Sequence, residues 1–276
     1  MLTRILTAIV GISIGIVIVI LSDTIILDIA VAALAVIMVY ELLSKCKCLQ
    51  YKVNSAVCFL FAAALPFLTH YCSQNIIYIF AALCILVMMT WYIFDHKRLN
   101  FDKLCFMIAT TMLSSMAMCC IIRLKNMDEI HGKFYVVICL AAAWLSDGAA
   151  YFVGTFFGKR KLCPEISPKK TVEGAVGGVV GGTVILLIFV IVYNMIMNAR
   201  GYNFSINYVW VVAVGLISGL LSIVGDLSAS LLKRQNDIKD FGKIMPGHGG
   251  VLDRFDSVLF VAPFMALTFE YIKMFN

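Results

Sequence analysis

Residues 175–198 read AVGGVVGGTVILLIFVIVYNMIMN, 24 positions without one charged side chain. A helix rises 1.5 Å per residue and a bilayer's hydrocarbon core is about 30 Å thick, so roughly 20 apolar residues cross it. This run is long enough. The whole chain has the same character: 62% of its 276 residues are hydrophobic and mean hydropathy is +0.97, more apolar surface than one soluble core could hide. Further apolar runs lie at about 5–22, 24–43, 54–71, 76–94, 104–122, 134–157, 207–232 and 256–273. The expected fold is therefore all-α, a polytopic integral membrane protein with about nine transmembrane helices. The first run reads as a retained anchor, because ILSDTII offers no small-x-small cleavage site and a second run follows at once.

Nine spans put the termini on opposite sides. If the loops alternate, all of the 22 Lys and Arg residues except Arg123, Lys125, Lys133, Arg200 and Lys273 fall on the N-terminal side. The positive-inside rule then makes that side, the N-terminus and the long polar loops cytoplasmic. Part of this bias reflects two loops that are also candidate anion sites. Ten cysteines show no CxxC and several lie inside apolar runs, so they read as packing residues. Cys46 and Cys48, beside Lys45 and Lys47 at a membrane edge, are candidates for acylation.

Against this background one segment stands out. SLLKRQNDIKDFGKIMPGHGGVLDRFD, residues 230–256, carries Lys233, Arg234, Asp237, Lys239, Asp240, Lys243, His248, Asp253, Arg254 and Asp256, in a chain that is only 14% charged. It offers oxygen ligands for a hard cation, cations for an anion, and glycines that let backbone approach a ligand. Just upstream, Asp226, Ser230 and Lys233 fall at i, i+4 and i+7 on one helical face. A carboxylate there needs a partner, either Lys233 or Arg234 in an ion pair, or a metal ion. Asp147 interrupts the sixth apolar run, where ionisable groups are costly. It either bonds across helices through Ser146 and Tyr151 or lines a polar cavity with Tyr151 and Glu173.

The loop after that run reads ISPKKTVEG, where Ser167, Lys169, Lys170 and Thr171 could meet a phosphate ahead of a helix. Ser167 or Thr171 could equally be a helix cap, with Glu173 in a capping role. The glycines that follow, Gly174, Gly177, Gly178, Gly181 and Gly182, repeat small-xxx-small spacing and read as a tight helix contact, as do Gly154 and Gly158. His248, between glycines, is either a turn residue or a phosphate donor and proton carrier. Acidic residues beside a membrane imply Mg²⁺, one ion or two, and the Lys and Arg around them suit a departing pyrophosphate. Such a site transfers nucleotidyl or phosphoryl groups to a lipid head group.

The order of these residues resembles the phosphatidate cytidylyltransferase (CDP-diacylglycerol synthase) family of bacterial membrane enzymes. The resemblance rests on Gly225, Asp226, Ser230, Lys233, Arg234, Lys239, Asp240, Gly242, Pro246, His248, Gly249, Gly250, Asp253, Arg254 and Asp256. Met245 departs from the branched aliphatic or Phe usual there. Two further strings match: Asp147, Ala150, Tyr151, Gly154, Gly158 and Lys159, then Ser-Pro-Lys-Lys-Thr-x-Glu-Gly from Ser167. The resemblance implies transfer of CMP from CTP to phosphatidic acid, giving CDP-diacylglycerol and pyrophosphate, on the cytoplasmic side of a bacterial inner (plasma) membrane. It implies catalytic roles for Asp226, Lys233, Arg234, Lys239, Asp240, His248, Asp253, Arg254 and Asp256, with Asp226, Asp253 and Asp256 holding Mg²⁺. Ser167, Lys169, Lys170, Thr171, Ser230, Gly249 and Gly250 would contact phosphates. One transmembrane domain over 1–276 is expected, with 1–130 as scaffold and 131–276 carrying the catalytic helices and loops. A homodimer is implied by analogy, and no nucleic-acid partner. A CTP-dependent lipid or polyprenol kinase and a transporter remain as alternatives, the first distinguished by its nucleotide product.

Overall fold

The computed structural model describes residues 2–202, 204–245, 249–272 and 274–275, with backbone only for residues 2–6 and 8. Nine of its helices coincide with the nine apolar runs: α1 Leu2–Ile20, α2 Ile26–Lys45, α3 Lys52–Tyr71, α4 Gln74–Phe94, α5 Phe101–Asn126, α6 Gly132–Phe157, α7 Val172–Ala199, α8 Tyr208–Gln235 and α10 Val258–Tyr271. The four-residue helix α9, Leu252–Phe255, precedes α10. Among the described residues seven helices, α2 to α8, are long and apolar enough to cross a membrane. The 14 residues of α10 extend only about 21 Å, less than a hydrocarbon core of about 30 Å.

One element departs from the all-helical expectation. The polar loop after α6 contains a small antiparallel hairpin, β1 Lys161–Cys163 with β2 Ser167–Thr171.

The chain divides into two compact units. The first comprises Met1–Asn126 and Gln235–Phe255, so part of the charged segment packs with the N-terminal helices. Its core gathers Val39, Leu43, Cys58, Leu104 and Met107, all buried, around α2, α3 and α5. Cys46 and Cys48 belong to this core, at 2% and 0% exposure. Burial pushes the Cys46 thiol up to about 11, so these cysteines are packing residues and not acylation sites. Within the same unit, buried Asp28 of α2 meets Nδ1 of His70 of α3 at 2.8 Å, a partner that sequence spacing did not supply.

The second unit comprises Met127–Arg234 and Asp256–Asn276. Its α6 and α7 pack tightly, because the glycines of α7 let backbone meet backbone. A Cβ on Gly177 would enter Val153, and one on Gly178 would lie 2.7 Å from Ala150 Cβ and 2.9 Å from the Ser146 carbonyl. Ser146 Oγ donates to the Gly178 carbonyl at 3.0 Å. Small residues continue the contact toward α8, where Gly215 and Gly219 abut Thr183 and Val179. This is how apolar helices associate in lipid, where water gives no hydrophobic drive and close van der Waals contact takes its place.

Candidate active site

In the second unit the polar residues converge where α8 passes the hairpin. Thr171, in extended conformation at the end of β2, caps α7: its Oγ1 accepts from Gly174 N at 3.1 Å. That satisfies one orphan helix amide and fixes the entry angle. Of the two readings of Thr171, the cap is the observed contact. Glu173 reaches back to the amides of Lys159 and Arg160, at 3.0 and 3.1 Å, and ties the hairpin's start to the helix. It therefore braces the hairpin, and these amides, rather than Asp147, are the contacts seen for Glu173.

The cap places Lys170 beside α8. Its Nζ lies 2.6 Å from Asp226 Oδ2, and Ser230 Oγ, one turn along α8, donates to Asp226 Oδ1 at 3.4 Å. The expected face of Asp226 and Ser230 is thus present. The ammonium 2.6 Å from Asp226, however, is that of Lys170, from a different element. Arg234 points its Nε at the Ile166 carbonyl, 3.4 Å away. Ser167 and Lys169 lie on β2, with Lys169 exposed.

Deeper in the same unit, Asp147 of α6 accepts from two hydroxyls, Ser222 Oγ of α8 and Ser257 Oγ, both at 2.7 Å. Its partners are not Ser146, which is engaged with α7, nor Tyr151. Tyr151 is 69% exposed, because Ser146, Ala149, Ala150 and Val153 fill the α6 face against α7 and leave no room for a large ring. Asp256, next to Ser257, is buried, and its Oδ1 accepts from the Ser257 amide at 2.8 Å. Burial, followed by the negative charges of Asp226 and Asp147, pushes the Asp256 carboxyl up to about 7, with Lys233 pulling the other way. Three carboxylates thus share one neighbourhood, with Lys170 and Lys233 as nearby cations.

In the first unit the segment from Lys239 to Arg254 forms a loop closed at its base. Asp253 Oδ2 accepts from the amides of Phe241 and Gly250, at 2.9 and 3.0 Å, while Met245 N donates to the Gly249 carbonyl at 3.1 Å. Gly249 has φ +87°, a backbone state that glycine reaches without a Cβ penalty. Lys239, Asp240 and Arg254 are exposed around this base. The amide of Gly250 is occupied by Asp253, so that amide does not face a phosphate. His248 lies outside the described residues. One residue the sequence reading passed over takes part: buried Glu41 of α2 accepts from Val251 N at 3.0 Å and Leu252 N at 2.9 Å.

Among the described residues no three His, Cys, Asp or Glu side chains form a ready metal-ligand set. Of the three proposed ligands, Asp226 and Asp256 belong to the second unit and Asp253 to the first. In the second unit the residues suit a cation in kind: Asp226 pairs with the Lys170 ammonium, and the neighbouring Asp256 is a second carboxylate, raised by burial and by the charge of Asp226.

Fold and site together define a multi-pass helical membrane protein with lysine–carboxylate chemistry at the end of its helices. The chain belongs to the cytidylyltransferase family, whose profile matches residues 2–272. It is 35% identical over 185 residues to the phosphatidate cytidylyltransferase of Bacillus subtilis (strain 168), covering 67% of this chain and 65% of that protein. It is 34% identical over 182 residues to that of Staphylococcus aureus (strain COL), covering 65% and 66%. For the phosphatidate cytidylyltransferase of Haemophilus influenzae, identity is 33% over 145 residues, covering 52% and 49%. The chain thus aligns with about two thirds or less of the length of these relatives.

Proposed function

We propose that this protein transfers CMP from CTP to phosphatidic acid, forming CDP-diacylglycerol and releasing pyrophosphate on the cytoplasmic face of a bacterial cell membrane. The observation that carries the reading is the Lys170–Asp226 pair beside buried Asp256 at the end of membrane helices, within a family of cytidylyltransferases. Bound Mg²⁺ would neutralise polyphosphate and polarise the α-phosphorus. Asp226 and Asp256 would hold it in the second unit; Asp253 is the further ligand suggested by the sequence pattern.

The residues of the chain then divide the work. Lys170, once released from Asp226, carries its ammonium to a phosphate, with Lys169 and Ser167 of the same strand beside it. Lys233 and Arg234 in the second unit, and Lys239 and Arg254 in the first, are the cations for phosphate oxygens, with Asp256 orienting Lys233 and Asp240 serving its own unit's cations. His248 donates to a phosphate oxygen or carries a proton. An oxygen of the lipid phosphate attacks the α-phosphorus in line, and the bond to the β-phosphate oxygen breaks as pyrophosphate leaves. The lipid brings its own anionic nucleophile, so no side-chain nucleophile is required and catalysis is positioning and charge stabilisation.

Purified protein in detergent, given phosphatidic acid, Mg²⁺ and either CTP or ATP, tests the reading. Pyrophosphate and CDP-diacylglycerol from CTP are expected. Release of CDP with a phosphorylated alcohol would identify a lipid kinase instead, and no nucleotide turnover would favour a transporter.

A further inference from the structure

Glu41 sits four residues before the end of α2 with 1% of its surface exposed. A carboxylate so placed is costly unless its oxygens are satisfied. They are satisfied by main chain: Oε1 takes the amide of Val251 and Oε2 that of Leu252, consecutive donors 210 and 211 positions away in sequence. Two glycines close around the same carboxylate. A Cβ on Gly250 would lie 2.5 Å from Oε2, and one on Gly242 would overlap Oε1. Both legs of the Lys239–Arg254 loop therefore rest on one side chain, and Asp253 links the legs to each other through Phe241 N and Gly250 N. The buried side chains of Phe241, Val251 and Leu252 complete this base.

We infer that Glu41 is a positioning residue: it fixes the base of the Lys239–Arg254 loop to α2 and so determines where Lys239, Asp240, Asp253 and Arg254 are presented. With both oxygens occupied and almost no exposed surface, Glu41 acts through the loop and touches no substrate. Two charge-assisted bonds to adjacent amides set direction as well as distance, which an apolar contact at this position could not do. The consequence for turnover rests on the cytidylyltransferase reading; the anchoring itself does not.

The test compares wild type with Glu41→Gln and Glu41→Asp in detergent, by hydrogen exchange of peptides covering 249–255, by thermal unfolding, and by CTP-dependent pyrophosphate release. Gln replaces one acceptor with a donor that faces an amide N–H. We expect exchange in 249–255 to rise at least about tenfold and kcat/KM for CTP to fall about 100-fold, the cost of misplacing reacting groups by about 1 Å. Exchange in α3 and the unfolding temperature should stay at wild-type values. Asp keeps both acceptors on a shorter stem and should recover part of both losses. Turnover of Glu41→Gln within twofold of wild type overturns the positioning role, as does unchanged exchange in 249–255. A lowered unfolding temperature with faster exchange throughout α2 and α3 also overturns it, since that is loss of general packing. If wild type itself releases no pyrophosphate, the functional reading fails and the exchange comparison alone decides whether Glu41 fixes the loop.

Discussion

Apart from Asp28, which meets His70, and Asp256 and Glu173, which accept from the amides of Ser257 and of Lys159 and Arg160, the acidic side chains described above are held in opposite ways in the two units. In the first, Glu41 and Asp253 accept from backbone amides of residues 241, 250, 251 and 252. In the second, Asp226 and Asp147 accept from the side chains of Lys170, Ser230, Ser222 and Ser257. An amide within a closed loop cannot turn away without moving the chain, so the first set holds shape. A lysine stem has four rotatable bonds and a hydroxyl rotates freely, so the second set can exchange its partners for a ligand. The carboxylates bound to side chains are thus the better candidates for metal and phosphate chemistry, and those bound to backbone for placement.

The largest effect that would break this comparison lies at Asp226. Asp226→Asn keeps size and one acceptor but removes the charge that pairs with Lys170, and turnover should fall on the order of 10³-fold, as for loss of a principal electrostatic contact. Pyrophosphate release measured against an unchanged unfolding temperature checks it. Activity above about a tenth of wild type would take Asp226 out of the metal site. Asp253→Asn should cost less, about 100-fold, because its carbonyl oxygen can still accept both amides that Asp253 Oδ2 accepts now. The folded, membrane-inserted protein should survive. A variant with wild-type turnover would make Asp253 a tie within its loop and nothing more.

The helical plan was legible because hydropathy is a local signal: each apolar run of about 20 residues became one helix, the 14-residue α10 being shorter than its run. The sequence offers candidate site residues one by one, but not the contacts between them. Spacing arithmetic compares neighbours on one helix, so the ion-pair partners it could offer Asp226 were Lys233 and Arg234, while Lys170, which meets it, lies on a strand ahead of another helix. The hairpin was missed because β1 has three residues and β2 contains a proline, too short and too broken for a period-two pattern to show. Glu41 was missed for a different reason. At the edge of the 24–43 run it looks like an ordinary interfacial charge, and its partners are main-chain amides, which leave no trace in residue identity.

Gly250→Ala produces the smallest effect of the series and probes the comparison most directly. The added Cβ would sit 2.5 and 2.6 Å from the two oxygens of Glu41, closer than atoms tolerate, so either the carboxylate or the loop must shift. If the Val251 and Leu252 amides hold Glu41 in place, the side chain cannot swing aside, and the substitution should cost about 1–3 kcal/mol, the usual range for overpacking a filled site. If Glu41 were as free to turn as Lys170 is, the same methyl group would be accommodated at almost no cost. Thermal unfolding of Gly250→Ala in the wild-type and Glu41→Ala backgrounds separates the two: destabilisation that disappears when the carboxylate is removed locates the conflict at Glu41, and equal destabilisation in both backgrounds locates it elsewhere in the loop.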